Sequence, residues 1–380
     1  MPNELTILPT LKPAAFMLFA GVLMLSCVNK HESPDDKRLE HTPIVMDVMP
    51  ATRAMIESDD LLKAACDPDQ GGNAIGIWSA YEVEGQKVNN VLGNSGGDVA
   101  LRYIERTEQD NYHGWTYGES AAYWVADAKY TFNAYFPMDV VDEITTSNVS
   151  TFIIDYNTEH YQDDLMMAYA YADTGAVGFN ASAPVTLNML HTLAAVRFQF
   201  SFKNADGSTF DDSDRLTACW LENTRSGEGL ATTAILAFGT TWSDGTVDGE
   251  HIHWYNEDYP APSAPSLPRN IYMWEDPVGV PFSSTVYEAL EGTTHSTGSG
   301  LYASNGGWIM LIPQQMDDSV QLCFRIASTD DLVHRIALPA TEFVAGQRYT
   351  FNVRFGQSDV GMTLSIADWN EMKSSYDIAL

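Results

Sequence analysis

Val196-Arg-Phe-Gln-Phe-Ser-Phe202 alternates without a break, with Val196, Phe198, Phe200 and Phe202 on one side and Arg197, Gln199 and Ser201 on the other. Successive strand side chains point to opposite faces, so a period of two predicts a strand with one face in a core. Similar runs recur on both sides of it. Ala74–Glu84, Tyr123–Val125, Tyr130–Phe136, Thr151–Tyr156 and Leu165–Tyr171 precede it, and Gly307–Pro313, Val320–Ala327, Arg348–Phe355 and Met362–Trp369 follow. Turn signals such as Glu84-Gly85, Asn94-Ser-Gly-Gly97 and Asp206-Gly207 separate or follow these runs. Many short strands punctuated in this way predict an all-β sandwich or barrel. A short helical stretch is expected over Glu57–Ala65, and no long helix.

The 380 residues favour about two domains. A boundary is read near residue 188: Asn180-Ala-Ser-Ala-Pro184 is a loop, Val185–Asn188 a closing strand, and a new strand pattern begins after His191. Within the second half, His253–Thr297 reads as one irregular surface insertion, because it carries Tyr259-Pro-Ala-Pro-Ser-Ala-Pro-Ser-Leu-Pro268.

Hydrophobic residues make up 45% of the chain, enough for sizeable cores, while charged residues make up 19%. The net charge is −31. Such a surface repels phosphate backbones, which excludes nucleic acid as a partner and suits a soluble, exposed protein. Of the four cysteines, Cys219 and Cys323 lie in strand-like runs and read as buried small hydrophobes, with a bridge between them left open. The disulfide state of Cys66 is likewise open.

Residues 14–26 form an almost uninterrupted apolar run ending at Ser26-Cys27, too short for a permanent membrane span but matching a signal-peptide core. The Ser-Cys ending resembles a bacterial lipobox, in which the cysteine is acylated and becomes the new N-terminus. The polar residues after it read as a tether. Next comes a short apolar strand, Thr42-Pro-Ile-Val-Met-Asp-Val-Met49, with Ile44, Met46 and Val48 on one face as in a core-filling strand.

No chemistry emerges from the remaining motifs. His251-Ile-His253 lacks a third metal ligand, and no phosphate loop or dinucleotide fingerprint is present. The expectation is a non-enzyme with no cofactor and no metal. Asn111-Tyr-His-Gly-Trp115 reads as an aromatic turn before a sugar platform.

Together these stretches resemble a family. A lipobox is followed by a strand ending in Thr52-Arg53-Ala54, then Tyr130-Thr-Phe-Asn-Ala-Tyr-Phe-Pro137, Asp164-Leu-Met-Met-Ala168 and Leu187-Asn-Met-Leu-His-Thr-Leu-Ala-Ala-Val-Arg-Phe198. Leu311-Ile-Pro-Gln314, Ala345-Gly-Gln-Arg-Tyr-Thr-Phe351 and Leu364-Ser-Ile-Ala-Asp-Trp369 complete the order. The chain is similar to the fimbrillins of type V pili, in the minor-fimbria (Mfa-like) branch.

The resemblance implies two transthyretin-like β-sandwich domains in tandem, export as an outer-membrane lipoprotein acylated at Cys27, and cleavage between Arg53 and Ala54 by an arginine-specific protease. It also implies polymerisation with other pilus subunits by donor-strand exchange at the cell surface. The expected organisation is a signal peptide over 1–27, tether and propeptide over 28–53, and sandwiches over 54–188 and 189–380, the second with the insertion 253–297. Residues 371–380 alternate as a donor strand would, with Met372, Tyr376, Ile378 and Leu380 on one face. Surface ligands of host or bacterial origin are further expected partners. The alternative is a glycan-binding surface lipoprotein that does not polymerise, using Trp254, Tyr255, Tyr272 and Trp274.

Overall fold

The computed structural model of the chain describes residues 38–50, 59–89, 91–92, 99–104, 114–118, 121–139, 143–148, 151–158, 163–202, 215–225, 230–238, 252–255, 270–281, 308–327, 332–355 and 360–368. Among them the strands run β1 (Arg38–Pro43), β2 (Met46–Pro50), β3 (Ile75–Val83), β4 (Gln86–Asn89), β5 (Val99–Ile104), β6 (Gly114–Thr116), β7 (Tyr123–Val125) and β8 (Lys129–Phe136). They continue with β9 (Glu143–Asn148), β10 (Thr151–Asn157), β11 (Met166–Asp173), β12 (Val185–His191), β13 (Ala194–Phe202), β14 (Arg215–Asn223), β15 (Thr233–Phe238) and β16 (Ile252–Tyr255). The last are β17 (Asn270–Pro281), β18 (Ile309–Leu311), β19 (Gln314–Met316), β20 (Val320–Ile326), β21 (Val333–Ala337), β22 (Thr341–Phe343), β23 (Gln347–Phe355) and β24 (Val360–Asp368). The α-helix α1 (Asp59–Ala65) falls where the sequence predicts it, and a single 3-10 turn, Pro68–Gln70, follows it. The protein is all-β in character, as expected.

The largest sheet has the order β2-β12-β11-β8-β3-β5-β6, with β4 folded back on β3. The β3–β4 turn is Glu84-Gly85, whose φ angles of 51° and 74° are the paired positive values of the tight turn that matches strand twist. Gly76 of β3 lies against the ring of Tyr135 in β8; a Cβ there would meet that ring at 2.3 Å. β11 is buried on both faces: Met166, Ala168 and Ala170 face one core, and Met167 and Tyr169 face another. That explains the unbroken apolar run Leu-Met-Met-Ala, since a strand covered on both sides has no polar face.

In the second half, β18-β13-β23-β24 packs face to face on β17-β14-β20-β21. Val196, Phe198 and Phe200 of β13 enter this core together with Tyr349, Phe351, Leu221 and Phe324. Phe198 stacks on Phe351 at 4.8 Å between centroids, in the parallel register Phe198↔Phe351. The opposite face of β13 is less open than its polar residues suggest. Ala195 is buried there, and the Arg197 guanidinium lies over the Trp308 ring at 4.2 Å, a cation–π contact.

A third core joins the halves, combining Tyr135, Met167 and Leu190 with Leu193, Leu236, Met310 and Ile312. Beside it, β10 pairs with β15 from Phe152↔Phe238 to Asn157↔Thr233, so one sheet, β16-β15-β10-β9, draws strands from both sides of residue 188.

Two expectations change. The stretch 253–297 is not one irregular insertion, because β17 lies within it and lines the core through Ile271, Met273 and Val280. Arg38–His41, read as tether, belong to β1, which pairs with β7. Main-chain pairing does not require apolar side chains, and hydropathy alone therefore misses it.

Candidate functional site

The N-terminal strand β2 lies at an edge of the fold. β2 stands at the end of the large sheet and, among the described residues, pairs only with β12, in parallel, from Val185↔Met46 to Met189↔Pro50. Its side chains alternate sharply. Ile44, Met46 and Val48 are 2%, 3% and 1% exposed, whereas Val45 and Met49 are 43% and 51% exposed. The three buried side chains enter the same core as Leu62 and Cys66, Trp115, Trp124, and Val185, Leu187 and Met189. This is the face predicted from the spacing, and it defines a groove beside β12 shaped by the strand that fills it.

The segment is also clasped by its main chain. The Ile44 amide donates to the Ala122 carbonyl at 2.8 Å, and the Val185 amide donates to the Val45 carbonyl at 2.7 Å. The Tyr117 hydroxyl donates to the Ile44 carbonyl at 2.7 Å and accepts from the Ala122 amide at 3.2 Å. Nothing in the spacing around Tyr117 points to this contact, which spans 73 residues of sequence.

At the far end of β12 a buried pair fixes the strand. His191 Nδ1 and Asp164 Oδ1 lie 2.9 Å apart, tying the end of β12 to the entry of β11, and the Thr192 hydroxyl donates to the Leu165 carbonyl at 2.8 Å. The two quoted motifs containing Asp164 and His191 are thus neighbours in space.

Of the residues named from sequence, Cys27, Arg53, Ala54, Met372, Tyr376, Ile378 and Leu380 lie outside the described residues, as do His113 and His251. Trp254 and Tyr255 belong to β16, and Tyr272 and Trp274 to β17. Trp115 is 4% exposed and meets Tyr103 edge-on at 5.4 Å, so it is a core residue and not a sugar platform.

Cys66, Cys219 and Cys323 are free and buried. Cys219 is opposite Phe324 and Cys323 is opposite Trp220, which places the two thiols on opposite faces of neighbouring strands. Side-chain alternation therefore keeps them from bridging. Burial pushes the Cys66 thiol up to about 12 against the opposing pull of Arg102, and raises Cys219 as well. Burial, then the Glu222 carboxylate, raises Cys323 to about 12. None is a nucleophile near neutral pH. Among the described residues, no group of three or more His, Cys, Asp or Glu is placed to hold a metal, and no helix is long and apolar enough to cross a membrane.

A many-stranded all-β protein with an N-terminal strand, β2, at the edge of its largest sheet is the class that this geometry defines. The fimbrillin-like family model matches residues 52–369, and the chain belongs to that family. Among solved structures, it is similar to a fimbrial protein from Bacteroides vulgatus, with TM-score 0.53 and 14% identity over 85% of this chain and 99% of that one. It is also similar to a proposed cell adhesion protein from Bacteroides uniformis, with TM-score 0.45 and 18% identity over 78% of this chain and 92% of the other. The tip fimbrial protein Mfa3 from Porphyromonas gingivalis gives TM-score 0.31 and 7% identity over 85% and 99% of the respective chains. At 14% identity the likeness to the Bacteroides vulgatus protein is one of fold. No curated protein sequence matches the chain.

Proposed function

We propose that this protein is a structural or adhesive subunit of a type V pilus. In this reading it is exported as a lipoprotein acylated at Cys27, held at the outer membrane, cut between Arg53 and Ala54, and polymerised by donor-strand exchange. Family membership supports a surface pilus or adhesion role. The observation that carries the assembly step is the edge strand Met46–Pro50. It is held by one ladder, sinks alternate side chains into the core, and immediately precedes the proposed cut.

The physical logic is direct. Removing that strand exposes unpaired main-chain groups on β12 and an apolar trough, a template that an extended segment of a neighbour can complete. Head-to-tail completion is a heterologous contact that need not close, so it propagates as a filament. The tail face of Met372, Tyr376, Ile378 and Leu380 supplies the alternating apolar pattern that such a trough requires.

Treating the purified chain with an arginine-specific protease tests the reading. A mature terminus at Ala54 and ladders resistant to mild denaturation are expected. A cleaved chain that stays monomeric would contradict assembly, and a mature cell-derived terminus at Cys27 would contradict processing.

A further inference from the structure

We propose that Tyr117 is the latch of the strand groove, a side chain that grips the main chain of whichever strand occupies it. The inference rests on the donor-strand reading above and adds to it the residue that regulates exchange.

The geometry is that of an antiparallel pair with one bond intercepted. Opposed residues in a hydrogen-bonded antiparallel pair exchange two N–H···O=C bonds. Ile44 and Ala122 make one of them directly, Ile44 amide to Ala122 carbonyl at 2.8 Å. The other is bridged by the phenol: the Ala122 amide donates to the Tyr117 hydroxyl at 3.2 Å, and that hydroxyl donates to the Ile44 carbonyl at 2.7 Å. The next residue turns to the opposite partner, with the Val45 carbonyl accepting from Val185 at 2.7 Å. The segment therefore crosses from its pairing with β7 to its pairing with β12 at Ile44 and Val45, and Tyr117 holds it at the crossing.

Two properties follow. The latch reads a carbonyl and not a side chain, so it places no demand on the sequence of the occupant. Selectivity lies instead in the sockets of Ile44, Met46 and Val48, which require apolar residues at alternate positions. The partner that fits is an extended segment of a second copy, seated with a carbonyl against Tyr117. The hydroxyl also sets how readily the resident strand opens, because without it the Ile44 carbonyl and the Ala122 amide lose their bridge.

Hydrogen–deuterium exchange on the uncleaved full chain tests this without invoking polymerisation. With Tyr117→Phe, the amides of Ile44, Asp47 and Met49, which point at Ala122 and at β12, should exchange roughly tenfold faster, the effect of losing one bridging hydroxyl. Amides of β3 and β8 should be unchanged. Tyr117→Leu should act at least as strongly on the same amides. Unchanged strand exchange in Tyr117→Phe, or equal acceleration throughout the sheet, overturns the latch. Polymerisation after cleavage, followed in parallel, separates the two claims. Faster strand exchange with no polymer in either protein leaves the latch standing and removes the donor-strand reading. Normal polymer with unchanged exchange does the reverse.

Discussion

Met46 and Met49 give the cleanest test of the groove, because they place the same side chain on opposite faces of one strand. Met46 is 3% exposed and points into the core beside Val185 and Leu187, while Met49 is 51% exposed. Met46→Ala in the uncleaved protein removes buried atoms and leaves a cavity, a change that costs about 2–5 kcal/mol. Met49→Ala should stay within about 0.5 kcal/mol, as surface substitutions do. The difference matters for assembly because Ile44, Met46 and Val48 each contribute on the order of 1.5–3 kcal/mol by burial. Their sum is a large share of the roughly 5–15 kcal/mol that holds a typical domain folded. Loss of this strand would therefore leave a strained acceptor that gains strongly from any replacement. Urea denaturation of wild type, Met46→Ala and Met49→Ala, read by tryptophan fluorescence, measures the two costs. Equal costs, or a larger one at Met49, would refute the burial argument.

The other predictions concern the thiols and the two ends of the chain. Cys66, Cys219 and Cys323 are held protonated by burial, so at neutral pH an alkylating reagent should modify none of them in the folded protein and all three after denaturation; rapid native labelling would contradict their burial. Cys27→Ala should release the protein from membranes and abolish incorporation of a fatty-acid analogue, and an unlabelled wild type would remove the lipoprotein reading. Deleting residues 371–380 should abolish polymer while the monomer stays folded; unfolding of the monomer, or persistent filaments, would remove the tail as donor.

Much of this was legible in local pattern. The alternation of Val196–Phe202 predicted a core strand, and Val196, Phe198 and Phe200 are buried. The shorter alternation of Ile44, Met46 and Val48 predicted the socketed face. Both readings succeed because strand period and burial are local properties. What local pattern hid is instructive. β17 carries Pro277, which argues against a central strand. Its ladder to β14 breaks between Leu216↔Val280 and Ala218↔Glu275, and Pro277 sits in that irregular stretch where no regular donor is required. The pairing of β10 with β15 and the Tyr117–Ile44 contact join segments distant in sequence, which no window of a dozen residues reports. The Cys219–Cys323 question turned on register: both residues are in neighbouring strands, and a one-position offset puts them on opposite faces.

The central claim is that a strand from a second copy replaces Met46–Pro50 beside β12. A reconstruction of filaments grown from the cleaved protein tests it most directly. The account predicts a foreign strand in that groove, with apolar side chains in the sockets of Ile44, Met46 and Val48 and a carbonyl against the Tyr117 hydroxyl. Filaments in which Ile44–Pro50 still occupy the groove, or in which subunits meet through any other surface, would contradict it.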